Sequence, residues 1–440
     1  MKLHHLLLLN LIFLTCTTAL GQQEKFELGE FISKGLENNY SLQISRNSQE
    51  ILENNVTLGN AGFLPVLDLS TRHSGNLTNT RQAFADGATE TASGILNTTT
   101  NAGLDLRWNI FSGFRVRTTY SRLEELRSQG ELSTRLTLER FIAQTASEYY
   151  NLIQQNRQLN NLEYSVALSR EMYRIDQERY EIGSGSRLQM LQSRVFLNAD
   201  SSRLARQHEV LRASQIRLNE LIGEDDFHVL IGATDTMIIV DKELAYEELH
   251  ASTLEHNTNL LISSGNQLIS ELDKKIIESR TYPFVNINTG YGYTFNTFNT
   301  GTIQNRHSLG MNYGVTVGIN LFDGFNRRRE LANASIEIEN RELSYQQILQ
   351  EINADLVTIF RAYESNLRLL EMEYENLETA RENMEIAFER YRLGALSGIE
   401  LREIQVSLLE AEERLLSIQY QTKLAEISLL QISGRIMEYI

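Results

Sequence analysis

Cysteine and proline are almost missing from this 440-residue chain. The sequence contains one cysteine, two prolines and one tryptophan. One thiol cannot form an internal disulfide, so no covalent cross-link stabilises the fold. Proline interrupts helices because its ring removes a backbone hydrogen bond, and its scarcity therefore leaves room for very long helices.

Excess positive charge and long apolar runs are also missing. The 41 Lys and Arg residues are outnumbered by 57 Asp and Glu residues, which gives a formal net charge of −16. Phosphate backbones repel an acidic chain, which argues against nucleic acid as a partner. After residue 21, no segment approaches the roughly 18 apolar residues of a membrane-spanning helix. A chain of this kind that crosses a bilayer must therefore do so with strands.

Residues 1–21 have the pattern of a secretory signal peptide. Lys2 supplies the positive N-terminal region, residues 6–14 form the apolar core and residues 19–21 form a cleavage region with small residues. This pattern predicts cleavage before Gln22. Cys16, the single cysteine, follows the apolar core. Lipid attachment at Cys16 is the weaker alternative because the preceding residues match a lipobox poorly.

The rest of the sequence is a tandem duplication. An offset of 218 aligns the first half with the second up to the two prolines, and an offset of 211 aligns them afterwards. The matched pairs include Leu36 and Leu254, Asn39 and Asn257, Pro65 and Pro283, Phe111 and Phe322, and Leu218 and Leu429. A long repeat of this kind predicts two copies of one supersecondary unit. We assign residues 22–225 to repeat 1, residues 226–244 to an inter-repeat segment and residues 245–440 to repeat 2.

Two segments without proline predict long helices that pack as coiled coils. Residues 115–182 and 326–393 each run for about 68 residues, or roughly 100 Å as helix. The following segments carry apolar residues at seven-residue spacing, namely Met190, Leu197, Leu204, Leu211 and Leu218 in repeat 1, and Leu401, Leu408, Leu415 and Leu429 in repeat 2. This spacing is typical of a coiled-coil seam, and an ordinary helical bundle core is the alternative.

The periodicity changes to two after each proline. Apolar residues alternate with polar ones in four segments, which include Leu67 and Leu69, Leu104 to Ile110, Val285 to Tyr293, and Val315 to Leu321. Strands of about ten residues with one apolar and one polar face are typical of a membrane barrel, and a sheet covering a soluble core is the alternative. Trp108, Tyr291, Tyr293 and Tyr313 near the strand ends favour the membrane interpretation. Residues 74–101 and 294–307 are predicted to be exposed loops, and Met237 to Val240 a short separate strand.

Four strands are too few to close a barrel. Open strand edges are not tolerated in lipid, so copies of the chain would have to share one barrel. A dimer would supply eight strands and a trimer twelve, and only the larger barrel leaves room for passage. The residue pattern leaves both possibilities open.

Two motifs, each present twice, resemble the TolC-like outer-membrane efflux protein family. The first is NIFSGF at residues 109–114 and NLFDGF at residues 320–325, which is similar to the family's exit from the second strand. The second is Arg-Tyr-x-x-Gly-x-x-Ser, at residues 179–186 and 390–397. A glycine that ends one helix and a serine that caps the next predict a tight helical hairpin at each copy. The resemblance covers essentially the whole chain after the signal segment.

The resemblance implies an α+β fold with two tandem repeats and four strands per chain. Three chains would form an α-helical barrel, a coiled-coil tunnel, that continues into a 12-stranded transmembrane β-barrel. The protein would lie in the outer membrane and extend into the periplasm. The helix–strand junctions would be marked by Pro65, Pro283, Phe111, Gly113, Phe322 and Gly324.

The resemblance also implies where the functional residues lie. The periplasmic tip that docks the adaptor protein would contain Arg179, Tyr180, Gly183, Ser186, Arg390, Gly394 and Ser397. Glu400, Glu403 and Tyr391 stand at positions that form the family's constricted entrance. In a trimer, two rings of three carboxylates would raise each other's pKa and favour cations, whereas an ordinary solvated helix face is the alternative. Gln189 and Gln192 replace the two glutamates in repeat 1, and Leu396 stands where some members carry an arginine.

The predicted function is a passive exit duct of a tripartite efflux or type I secretion system. An inner-membrane pump of the RND or ABC type would supply the energy through a periplasmic adaptor, also called a membrane fusion protein. The sequence offers no nucleotide, cofactor or metal motif, and an enzyme is not expected. A secreted coiled-coil structural or adhesion protein is the alternative, but it does not explain four alternating strands at repeat-matched positions.

Overall fold

The computed structural model describes residues 24–299 and 303–439. The predicted signal segment, with Cys16, therefore lies outside the described residues. The helices are α1 (Leu28–Asn38), α2 (Tyr40–Asn55), α3 (Leu58–Ala61), α4 (Arg115–Glu181), α5 (Arg187–Ile222), α6 (Tyr246–His256), α7 (Thr258–Glu278), α8 (Asn326–Arg392) and α9 (Gly398–Ile432). The strands are β1 (Glu24–Phe26), β2 (Val66–Ala83), β3 (Thr89–Ser112), β4 (Ile231–Ala233), β5 (Phe284–Thr297) and β6 (Asn305–Gly318). Short 3₁₀ turns span Ser279–Thr281 and Ile436–Tyr439.

The chain forms two compact units. The first contains the chain up to Ser45, Thr134–Leu260 and the chain from Leu349 onward, and the second contains Arg46–Ser133 and Leu261–Ile348. The two long helices predicted from the absence of proline are confirmed, because α4 and α8 each have 67 residues. In the described part of the chain, no helix combines the length and apolar character that crossing a bilayer requires.

The core of the first unit follows the predicted seam in repeat 2 but not in repeat 1. On α9, Leu401, Leu408, Leu415 and Leu429 are all buried. On α5, Leu218 is buried while the other four predicted positions are only half-buried. The fully buried row of α5 is instead polar, and it consists of Ser193, Asp200, Gln207 and Ser214. Repeat 1 therefore packs against its neighbours partly through hydrogen bonds, which apolar periodicity does not predict.

Asparagines end the first helix of each repeat at the same place. Asn39 accepts hydrogen bonds from the Ser41 and Leu42 amides, which caps α2, and its side-chain amide donates to the Leu221 carbonyl at 2.9 Å. Asn257 makes the equivalent bonds before α7 and donates to the Ile432 carbonyl at 2.8 Å. In each repeat, the asparagine thus links the boundary between the first two helices to the end of the last helix, which is α5 in repeat 1 and α9 in repeat 2.

The second unit contains an antiparallel sheet in the order β2-β3-β5-β6. Exposed apolar side chains line one face and include Leu67, Leu69, Leu309, Met311, Tyr313, Val315 and Val317. Polar residues including Asp68, Ser70, Asp105 and Arg107 line the other face, where Arg107 and Asp68 form an ion pair at 2.5 Å. The predicted alternation of apolar and polar faces is confirmed.

Two expectations about the loops and short strands were wrong. Strands occupy much of residues 74–101 and part of residues 294–307, because β2 continues to Ala83, β3 begins at Thr89, β5 continues to Thr297 and β6 begins at Asn305. Threonine-rich segments such as residues 98–100 favour extended backbone, and the partner strand satisfies their amides. Met237 to Val240 are not a strand. The short strand is β4, which lies earlier and pairs in parallel with β1, beginning with Glu24 opposite Ile231.

Candidate functional site

The two helical turns at the predicted tip have nearly identical geometry. Gly183 and Gly394 adopt left-handed backbone conformations, with φ of 78° and 77°. Ser186 then caps α5 by accepting from the Gln189 amide at 3.3 Å, and Ser397 caps α9 by accepting from the Glu400 amide at 3.3 Å. The glycine stop and the serine cap predicted from the repeated motif are both present.

Glu400 is part of this cap. Its carboxylate accepts from the Ser397 backbone amide at 2.9 Å, and the side chain of Gln189 makes the same bond to Ser186 at 3.0 Å in repeat 1. The hydrogen bonds from the Ser397 amide and hydroxyl hold the pKa of Glu400 below its usual range. This capping role was not predicted from the sequence, although a serine followed three residues later by Glu or Gln is a known local signature of a helix start. Glu403 lies one turn further along α9 and is exposed.

Tyr391 is buried rather than exposed at the entrance. Its hydroxyl donates to the Asp176 carboxylate at 2.5 Å, and the Arg179 guanidinium stacks 5.0 Å from its ring centre. Arg179 also donates to the backbone carbonyl of Tyr391 at 2.5 Å. Burial, and then the Asp176 carboxylate, raise the pKa of Tyr391 well above its usual value, so the phenol stays protonated. These bonds join the end of α8 to the end of α4.

Among the described residues, this cluster of Asp176, Arg179 and Tyr391 occurs once, although its motif occurs twice. The repeat counterpart of Asp176 is Ala387, which is buried, and Tyr180 is exposed where Tyr391 is buried. Arg179 and Tyr391 were predicted as site residues from the sequence, whereas Asp176 was not. The signal was a carboxylate in one repeat at a position where the other repeat has alanine.

Replacing Tyr391 with phenylalanine is expected to destabilise the first unit by about 1–3 kcal/mol, because the buried Asp176 carboxylate loses its hydrogen-bond donor. Tyr180→Phe is the matched control, since Tyr180 holds the same repeat position on the surface. Thermal unfolding in detergent, followed by circular dichroism, measures both variants. Equal unfolding midpoints for the two variants would contradict the importance of the Tyr391 bond.

The tip also exposes apolar side chains around the predicted docking residues. Ile182 and Leu393 follow the ends of α4 and α8, and Leu188 and Ile399 lie in the first turns of α5 and α9. These four side chains are 61% to 83% exposed. Gly183, Ser186, Gly394 and Ser397 lie between them at the surface.

The helix–strand junctions of the second unit follow the repeat as well. Pro65 and Pro283 immediately precede β2 and β5. At the strand exits, Gly113 and Gly324 have positive φ, and so do the phenylalanines that follow them. Each of those phenylalanines packs edge-on against the motif's first phenylalanine, with ring centres 5.3 Å apart in the pairs Phe111 and Phe114, and Phe322 and Phe325.

Comparison with known proteins decides the family. The model of the outer membrane efflux protein family matches residues 31–224 and 273–435, which is most of the chain. The chain belongs to the outer membrane efflux protein family. Members of this family are channels and not enzymes, so the protein is a channel component of the outer membrane that extends into the periplasm. This membership favours the channel over the secreted structural protein that the sequence left as an alternative.

Solved structures show the same fold. A membrane protein from Pseudomonas aeruginosa has a TM-score of 0.77 at 17% identity, with 94% of this chain and 91% of that chain covered. The CmeC outer membrane channel of Campylobacter jejuni has a TM-score of 0.76 at 17% identity, with 93% and 85% covered. The outer membrane protein VceC of Vibrio cholerae has a TM-score of 0.75 at 14% identity, with 92% and 96% covered. No curated protein is significantly similar to this chain in sequence.

Proposed function

We propose that three copies of this efflux-family chain form the exit duct of a tripartite efflux or type I secretion system. The duct is passive, and an inner-membrane pump of the RND or ABC type drives transport through a periplasmic adaptor that docks at the helix tips. The observation that carries this proposal is the four-stranded sheet, whose outer strands β2 and β6 each have one side without a partner in the described chain. Open edges beside an apolar face are not stable in lipid, so other copies must complete the barrel.

The repeat supplies a specific register for this assembly. Within the chain, β3 of repeat 1 pairs with β5 of repeat 2, with Leu106 opposite Thr289. In the repeat alignment, Leu106 corresponds to Val317 on β6 through the offset of 211. Thr289 corresponds to Thr71 on β2 through the offset of 218. If copies pair as the repeats do, Val317 lies opposite Thr71 of the partner subunit. Twelve strands then close the barrel and leave a passage, whereas eight would be filled by side chains.

A cysteine pair tests this register. We expect Val317→Cys combined with Thr71→Cys to form disulfides between subunits, because opposite residues of antiparallel strands lie within disulfide reach. Val315→Cys with Thr71→Cys is the matched control, since a two-residue shift separates the Cα atoms by roughly 7–8 Å. Non-reducing electrophoresis should show trimers for the first pair only. Cross-linking of the control pair alone, or of neither pair, would contradict the register.

The entrance of the duct is proposed to be lined by Glu400 and Glu403. Both side chains are exposed on the first turns of α9, close to the tip. In a trimer they form six carboxylates, and rings of carboxylates favour cations in a narrow pore. The exposed Ile182, Leu188, Leu393 and Ile399 support the adjoining tip as an apolar docking surface for the adaptor.

Replacing both glutamates with glutamine should reduce the preference for cations. Gln189 shows that glutamine can cap a helix at this position, so Glu400→Gln keeps the fold while removing the charge. The reversal potential of the channel in a planar bilayer under a salt gradient reports the permeability ratio. Glu247→Gln with Glu248→Gln removes the same charge from an exposed site at the start of α6 and should have no effect. An unchanged reversal potential in Glu400→Gln with Glu403→Gln would refute the constriction.

A further inference from the structure

We propose that Asp200 determines the ion specificity of the entrance by holding the Arg402 guanidinium inside the helix bundle. This inference rests on the proposed constriction at Glu400 and Glu403. Arg402 lies between these two glutamates in the sequence, at a place where an exposed cation would oppose their charge. The structure turns its side chain toward α5 instead.

The contact between Arg402 and Asp200 is bidentate and buried. One guanidinium nitrogen of Arg402 lies 2.6 Å from one carboxylate oxygen of Asp200, and the other nitrogen lies 2.8 Å from the second oxygen. The Asp200 side chain is 1% exposed and that of Arg402 is 14% exposed. Two parallel charge-assisted bonds of this kind fix the orientation of an arginine more firmly than a single bond.

Neighbouring side chains hold the carboxylate in place. The Ser169 hydroxyl on α4 donates to Asp200 at 2.5 Å, and Gln405, one turn after Arg402, donates to the Ser165 carbonyl at 3.1 Å. Burial alone would raise the pKa of Asp200, but the hydrogen bonds from Arg402 and Ser169 outweigh burial and hold the pKa below its usual value. Asp200 therefore stays ionised and neutralises the arginine.

The duplication does not repeat this pair. The repeat counterpart of Asp200 is Ala411, and the counterpart of Arg402 is Leu191. Ala411 is buried on α9 without any ion pair at that place in the other repeat. The pair therefore accompanies Glu400 and Glu403 in the second repeat and has no counterpart beside Gln189 and Gln192 in the first.

Removing the Asp200 carboxylate should release the charge of Arg402. A buried guanidinium without a counter-ion is strongly unfavourable, so the long side chain would extend toward water, where its exposed part already lies. In a trimer, three released guanidinium groups would oppose six carboxylates. The net charge of the constriction would fall from about −6 to about −3, since each group carries about one unit of charge at neutral pH.

Reversal potentials of the full-length channel in planar bilayers test this inference. We expect Asp200→Asn to reduce the cation-to-anion permeability ratio by roughly half, in proportion to the charge lost from the constriction. Asp200→Asn combined with Arg402→Gln should keep the wild-type ratio, because both charges of the pair are gone. If the Asp200–Arg402 pair had only a structural role, the permeability ratio would not return to the wild-type value in this double variant.

Two further results separate the possible failures. Arg402→Lys keeps an ion pair with Asp200 but loses one of its two bonds. Its permeability ratio should therefore lie between those of the wild type and Asp200→Asn. This milder variant decides the test if Asp200→Asn does not yield channels. A wild-type ratio in both single variants, or an equal loss in the double variant, would overturn the inference while leaving the constriction intact. A wild-type ratio in Glu400→Gln with Glu403→Gln would overturn the constriction and the inference together.

Discussion

Gly113→Ala should destabilise the second unit by roughly 2–5 kcal/mol. Gly113 has φ of 63°, and a left-handed conformation costs an alanine about 1–2 kcal/mol. An added Cβ would also overlap the Ser279 carbonyl oxygen and approach the Tyr282 Cβ to 2.8 Å, and overpacking of this kind costs about 1–3 kcal/mol. The unfolding midpoint in detergent measures the loss. A midpoint within experimental error of wild type would show that the junction between β3 and the second repeat is not tightly packed.

Gly324→Ala is the matched variant, and its effect depends on assembly. Gly324 also has positive φ, but an added Cβ meets only the Asn326 side-chain amide, at 3.7 Å, among the described residues. A lone chain would therefore lose only about 1–2 kcal/mol. In the proposed trimer, Ala61 of the partner subunit takes the place that Ser279 has beside Gly113. Equal destabilisation by the two glycine substitutions would support the closed trimer, and a much smaller effect at Gly324 would contradict it.

Glu426→Ala should strongly destabilise the first unit. Glu426 is buried and binds three groups: the Lys423 ammonium at 2.6 Å, the Asp241 amide at 2.9 Å and the Tyr439 hydroxyl at 2.9 Å. Lys423 is buried as well, with the Tyr150 ring centre 4.9 Å from its nitrogen. Removing one partner of a buried ion pair costs about 3–5 kcal/mol, because the other charge remains without a counter-ion.

The control for this prediction is Glu389→Ala near the end of α8, which also belongs to the first unit. Glu389 pairs with Arg392 at 3.0 Å, but both side chains are more than half exposed, so water replaces the lost contact. The two variants should therefore differ clearly in urea unfolding measured in the same detergent. Similar unfolding curves would mean that the Glu426 cluster contributes little to the stability of the first unit.

Local features of this fold could be predicted from the sequence. The proline-free segments, together with the turns that contain glycine and serine, predict the bounds of α4 and α8 to within one residue, because these signals act over a few residues. Alternation of apolar and polar residues identifies all four strands of the sheet. Their lengths could not be predicted, because threonine and asparagine are compatible with both loops and strands until a partner strand is known.

Contacts between distant residues could not be predicted from periodicity. Tyr391 and Asp176 are 215 residues apart, and Arg402 and Asp200 are 202 residues apart. Apolar spacing shows which face of a helix is buried, but it does not show which polar side chains meet inside. Both contacts do leave a trace in the duplication, because Asp176 and Asp200 stand where the second repeat has alanine.

Single-channel recording of the full-length wild-type protein tests the central claim most directly. Protein extracted from outer membranes in detergent would be purified as a folded oligomer and added to a planar bilayer under a salt gradient. The proposed duct predicts discrete conductance steps with a reversal potential that favours cations. A folded, membrane-inserted oligomer that gives no conductance steps would contradict the proposal that this chain forms a channel by itself.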